Sequence, residues 1–184
     1  CIGDRLKAAT SPESVCGPPL AHQYKSACLA DFIELALNTG CRKGELLNLR
    51  WSDVDFSTRL LHLRETKSGE WQTVPVNEEA RQVLVRRMRL RDEICLDTPW
   101  VFFHTTPMRD VSVGDRVKNV RRSFTTACRR AGIEDFHIHD LRHTFASWLV
   151  MNGVPLFEVS KLLRHSSIQM TERCAHLGPA HLHD

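Results

Sequence analysis

From Ala21 to Leu37 the apolar residues Leu29, Phe32, Ile33, Ala36 and Leu37 recur three and four positions apart, which predicts a helix with one buried face. Asn38-Thr39-Gly40 ends that pattern, and Gly40 is expected as its left-handed cap. A short second helix is expected from about Arg42, turning Leu46, Leu47 and Leu49 inward. The period then changes. Leu60–Arg64 and Gln72–Val76 read as two strands flanking the turn Lys67-Ser68-Gly69-Glu70. With the stretch near Val54 to Phe56 they make a small three-stranded antiparallel sheet.

The rest reads as helix. Ala80, Val83, Leu84 and Met88 mark one face of a helix from about Asn77, whose other positions carry Arg81, Arg86, Arg87, Arg89 and Arg91. Trp100 to Phe103 is a short apolar stretch before a loop with Pro107. Val113, Val117, Val120, Phe124, Ala127 and Ala131 then recur at helical spacing, which predicts one long buried stripe ended by Gly132. The positions between carry Arg116, Lys118, Arg121, Arg122, Arg129 and Arg130. Three more helices are expected, from about His139, Pro155 and Ser167. The fold class is therefore mainly α with one small sheet (α+β).

Composition narrows the class without choosing the function. The 184 residues are enough for one domain with a real core, and the apolar fraction of 42% is that of a globular chain. No apolar run is long enough for a transmembrane helix, and no signal-peptide pattern opens the chain. Residues 1–19, with Pro12, Gly17, Pro18 and Pro19, read as an arm or linker trailing from an N-terminal DNA-binding domain that the sequence does not contain. Because residue 1 is Cys, the chain reads as a fragment of a longer protein. The formal charge of +3 alone favours a solvated helix surface over a nucleic-acid surface. Seven cysteines without a C-x-x-C pair read as reduced thiols, and no Cys/His cluster has metal-ligand spacing.

Four stretches carry candidate chemistry. In Thr39-Gly40-Cys41-Arg42-Lys43-Gly44-Glu45-Leu46, Arg42 sits at a helix start, where its side chain and free N–H groups could address an anion. Glu45, one turn on, could orient it. An ordinary exposed helix start fits that stretch equally well, and Lys67 on its turn is by itself an ordinary surface lysine. In His139-Asp140-Leu141-Arg142-His143-Thr144-Phe145, the residues at 139, 142 and 143 share one helix face, while Leu141, Phe145, Trp148 and Leu149 share another. Two imidazoles and a guanidinium held side by side repel unless an anion bridges them. The fourth stretch runs from Leu162 to Leu177 and contains Arg164, His165 and Cys174.

Together these stretches resemble the tyrosine recombinase (phage integrase) family, over residues 20 to 177. The family's first arginine corresponds to Arg42 in T-G-x-R-x-x-E-L, its hairpin lysine to Lys67, and its H-x-x-R box to His139 and Arg142. Its later His or Trp corresponds to His165, and its tyrosine nucleophile, nine positions on, to Cys174. The resemblance implies a catalytic domain over residues 20–184. It implies site-specific DNA integration or excision through a covalent 3′-phospho-enzyme intermediate, without metal or other cofactor. Arg42, Arg142 and His165 would hold the phosphate, Lys67 would protonate the leaving 5′-oxygen, and His139 would serve the nucleophile, with Glu45 and His143 in support. The implied partner is double-stranded DNA, with self-association into dimers or tetramers on it, no membrane and no small-molecule substrate. The implied place is the cytoplasm of a bacterial host or phage-infected cell.

Two positions depart from the family. Arg164 stands where the family usually has glycine, so it is expected either to strain a positive-φ backbone or to add a phosphate contact. Cys174 replaces the tyrosine, and the only tyrosine, Tyr24, lies far upstream. A thiolate forms more easily than a phenolate, but it is soft towards phosphorus and shorter by about a phenol ring. Strand cleavage is therefore expected to be severely reduced. A non-catalytic DNA-binding module derived from an integrase is the alternative, and topoisomerase-like relaxation a third reading. On any of them, binding should weaken steeply with salt.

Overall fold

The computed structural model describes residues 20–64 and 71–164, together with Arg5, Gln169 and Thr171. In chain order the elements are α1 (Leu20–Thr39), α2 (Lys43–Leu47), a 3-10 turn at Trp51–Asp53, β1 (Val54–Asp55), β2 (Leu60–Arg64), β3 (Trp71–Pro75), α3 (Glu78–Ile94), α4 (Arg121–Arg130), α5 (Asp140–Met151) and α6 (Leu156–Leu163). Among the described residues no helix is long and apolar enough to cross a membrane.

Helix α1 is the axis of the domain and packs against both α3 and α5. The expected single buried face is too narrow a description. Cys28, Leu29, Phe32, Ile33, Leu35, Ala36 and Leu37 are all buried, so the described part of the helix buries more than a single face. Its polar members survive this because Arg86 of α3 reaches Asp31 at 3.1 Å and Glu34 at 2.7 Å. Asn77 joins the two helices at their ends. Its Oδ1 accepts the Ala80 N–H as an N-cap at 2.9 Å, and its amide donates to Asn38 Oδ1 at 2.9 Å.

The sheet is antiparallel in the order β1-β2-β3. Leu61 pairs with Val74 and Leu63 with Gln72. Leu61, Leu63 and Val74 point into the core, as period-two alternation requires. The two strands pair as expected, with β3 shifted one residue earlier, and the expected turn at Lys67–Glu70 lies outside the described residues.

Two expectations fail. The stripe from Val113 to Ala131 is not one helix, because α4 begins only at Arg121. Gly114 takes φ +91°, and the Val117 N–H donates to Phe102 O at 2.9 Å, so this stretch pairs with the Trp100–Phe103 segment instead. Val117 and Val120 are still buried, so the sequence marks what is inside but not the backbone that puts it there.

Secondly, the arginines of α3 do not all stand on its polar face. Arg87 is fully buried. Its guanidinium lies 5.4 Å and 5.1 Å from the ring centroids of Phe102 and Phe103, its Nε donates to Val101 O at 3.1 Å, and Asp31 lies 3.9 Å away. Arg81 is bound to Glu78, and Arg91 to Asp92 and the face of Trp51. The arginines of α4 remain outward: Arg121, Arg122, Arg129 and Arg130 are exposed.

Candidate active site

The site is built where three chain segments meet: the turn after α1, the start of α5 and the end of α6. Gly40 caps α1 as expected, with φ +61° and its N–H on Ala36 O at 3.0 Å. A Cβ at this position would lie 2.4 Å from Phe145 Cδ1 of α5 and 3.0 Å from Leu163 Cδ2 of α6. Only a glycine lets the three segments approach this closely.

Arg42 begins α2, and Glu45 answers it one turn later. The Arg42 N–H donates to Glu45 Oε2 at 2.7 Å and its Nη1 to Glu45 Oε1 at 2.9 Å. The backbone N–H expected to be free for an anion is therefore taken by Glu45. The Arg42 side chain remains 43% exposed and can still reach a ligand.

Arg142 is the structural opposite. Only 3% exposed, it spans the gap between the other two segments. Its Nη1 donates to Gly40 O at 2.6 Å and its Nη2 to Leu163 O, the carbonyl that closes α6. Arg42 Nη2 reaches the next carbonyl, Arg164 O, at 3.4 Å. Two cations thus sit on the open carbonyls of a helix C-terminus, the end that the helix dipole makes negative.

Arg164 adopts the left-handed backbone expected of the glycine it replaces, with φ 55° and ψ 45°. Its side chain turns inward and is 7% exposed, with Nη2 on Glu45 Oε2 at 2.7 Å. Nothing in the sequence pointed to this pair, because 119 residues separate the partners.

The cluster's electrostatics follow from this crowding. Burial, then the charges of Arg42 and Arg164, pull the Arg142 guanidinium down to about 10. Burial pushes the Glu45 carboxyl up, but the charge of Arg164 and the hydrogen bonds and charge of Arg42 outweigh it, so Glu45 ends below the usual carboxylate range. His139, exposed just before α5, stacks edge-on against His143 with ring centroids 4.8 Å apart. Its partial burial, then the neighbouring His143, Arg142 and Arg42, hold it below the ordinary imidazole value, while Asp140 pulls the other way. Its neutral form is favoured near neutral pH, which suits a proton acceptor.

The structure therefore brings together Arg42, Glu45, His139, Arg142 and His143. Lys67, His165 and Cys174 lie outside the described residues. The described cysteines Cys28, Cys41, Cys95 and Cys128 are free thiols. Three arginines around one carboxylate leave an excess of positive charge that an anion would neutralise.

A sequence profile of the phage integrase family matches residues 17–181. The integrase of Salmonella phage P22 is 36% identical over 162 residues, covering 84% of this chain and 40% of that protein. The chain thus spans about two fifths of that relative's length. The crystal structure of XerA recombinase superposes with a TM-score of 0.75 at 27% identity, covering 98% of this chain and 59% of that one. The catalytic domain of bacteriophage HP1 integrase gives 0.64 at 29% identity, covering 98% and 87%.

Proposed function

Because the chain belongs to the phage integrase family, we propose that it is the strand-transfer domain of a site-specific DNA recombinase, with Arg42 and Arg142 as its phosphate clamp. The observation that carries this reading is the convergence of Arg42 and Arg142 on the α6 C-terminus. They come from segments 100 residues apart, and Glu45 and His139 stand beside them.

In the proposed reaction an enzyme nucleophile attacks the scissile phosphorus, the P–O5′ bond breaks, and a 3′-phospho-enzyme and a free 5′-hydroxyl result. A 5′-hydroxyl of the partner strand reverses the step, so the bond energy is conserved without ATP. The transition state gathers charge on the non-bridging oxygens. Two fixed guanidiniums stabilise that charge more than they stabilise the ground state, and one such donor is typically worth about 10²–10³ in rate. Arg142, pinned by two carbonyls, needs no reorganisation to do so. The resemblance assigns His165 as a further donor, Lys67 as the acid that protonates the 5′-oxygen, and His139 as the base or hydrogen-bond partner of the nucleophile. The resemblance assigns Cys174 to the nucleophile's place, and a cysteine side chain is shorter than a tyrosine's by about a phenol ring. Double-stranded DNA is the proposed substrate, with assembly into dimers or tetramers on it.

The test uses nicked duplexes carrying the sequence the chain selects from a random DNA pool. Cys174→Tyr should trap a covalent protein–DNA complex that the Cys174 chain forms far more slowly or not at all. Normal DNA binding by Cys174→Tyr with no covalent complex would show a DNA-binding module rather than an enzyme.

A further inference from the structure

Arg164 is the chain's one departure from its family that the described structure shows in full, and its surroundings are unusual. It carries the strain of a left-handed backbone at φ 55°, a conformation that residues with a Cβ adopt only at a cost. In return its guanidinium is buried beside two others. Its Nη2 is bound to Glu45, while its Nε and Nη1 are buried without a nitrogen or oxygen partner among the described residues, beside the buried Cys41 thiol. A group placed at such cost and only partly satisfied calls for an explanation.

The contacts decide the role. Among the described residues, the one hydrogen-bonded nitrogen of the Arg164 guanidinium is on Glu45, and Glu45 in turn holds Arg42, whose side chain is 43% exposed. The contacts form a chain. Arg164 Nη2 holds Glu45 Oε2; Glu45 Oε1 holds Arg42 Nη1; and Arg42 Nη2 returns to the Arg164 carbonyl. The ring is closed by residue 164 at both ends, through its side chain and its backbone. A glycine would keep the backbone end and lose the other. Glu45 would then be neutralised by Arg42 alone, and the cluster would carry one positive charge fewer.

We infer that Arg164 is a positioning residue for the phosphate clamp: it takes up the Glu45 carboxylate, fixes the Arg42 guanidinium through it, and adds a unit of positive charge behind the anion site. The inference rests on the proposed reading of Arg42 and Arg142 as phosphate ligands, but the coupling of Arg164 to Glu45 and Arg42 is readable without any ligand.

The experiment compares the chain with Arg164→Gly and Arg164→Lys. Glycine is at home in the left-handed conformation, so Arg164→Gly keeps the backbone turn. NMR follows the Glu45 carboxyl through a pH titration and the Arg42 and Arg142 Nε–H signals through a titration with inorganic phosphate. In Arg164→Gly the Glu45 midpoint should rise towards the ordinary glutamate value, the Arg42 signal should move before any phosphate is added, and phosphate affinity should fall on the order of tenfold. Arg164→Lys keeps a cation within reach of Glu45 and should recover most of all three. An unchanged Glu45 midpoint and Arg42 signal in Arg164→Gly would overturn the inference. If the unaltered chain binds neither phosphate nor DNA, the functional reading of the site fails, and the Glu45 and Arg42 signals alone still decide whether Arg164 positions them.

Discussion

Gly40→Ala should cost this domain about 3 kcal/mol, and Gly132→Ala only about 1 kcal/mol, although both glycines have almost the same backbone. Gly40 sits at φ +61° and Gly132 at φ +62°, so each alanine meets the same left-handed penalty of roughly 1 kcal/mol. The surroundings differ. Nothing lies within 4 Å of a Cβ at Gly132. At Gly40 the Cβ meets Phe145 Cδ1 at 2.4 Å, Phe145 Cε1 at 2.8 Å and Leu163 Cδ2 at 3.0 Å. The Phe145 ring is packed beside Leu163, Val159 and Ala146, so it cannot swing away cheaply, and such overpacking costs about 1–3 kcal/mol. In urea unfolding the difference between the two variants isolates the clash from the backbone term. For a domain of this size the melting temperature should fall by about 6–12 °C for Gly40→Ala and about 2–4 °C for Gly132→Ala. The clash also pushes on the carbonyls that hold Arg142, so phosphate affinity should fall in the first variant and not in the second. Equal destabilisation by the two alanines would refute the reasoning, because it would mean that the α5–α6 corner yields freely.

Two further outcomes follow from the buried charges and the paired imidazoles. Arg87→Met leaves Asp31 with Arg86 as its remaining strong partner in a buried setting, and should cost about 3 kcal/mol by chemical denaturation; unchanged stability would mean that the aromatic box around Arg87 does not depend on its charge. His143→Phe removes one of the groups that hold His139 low, so the His139 midpoint in a proton NMR titration should rise towards the ordinary histidine value. The sign is set by linkage: a histidine whose folded value lies below its unfolded value withdraws stability as pH falls through the unfolded value, and His143→Phe should lessen that acid-side loss. A His139 midpoint that stays put would place the cause in burial and the two arginine charges instead.

Much of this fold is legible in the sequence because its elements are local. The hairpin, the Gly40 cap and the Arg42–Glu45 pair all rest on residues a few positions apart, where period and turn chemistry speak directly. Legibility fails where the partner is distant. Val117 and Val120 are three apart and buried, as on a helix, yet a stretch whose Val117 pairs with Phe102 buries them just as well. Arg87 reads as surface because a cation on an apolar helix usually is, and only Phe102, Phe103 and Asp31 together make its burial tolerable. At the site, the left-handed turn at residue 164 could be expected from the glycine it replaces. The destination of its side chain could not, since Glu45 lies on an element more than a hundred residues away.

The clamp's wiring also orders events in time. Arg142 closes on Gly40 across 102 residues, Arg164 on Glu45 across 119, and Arg42 on the Arg164 carbonyl across 122. A ribosome delivers the first of these partners long before the last. Until α6 has emerged and docked, Arg42 and Arg142 lack the carbonyls that aim them, and contacts this far apart in the chain form late and slowly. On the proposed reading, the grip on a phosphate is thus withheld from the growing polypeptide until α6 is in place.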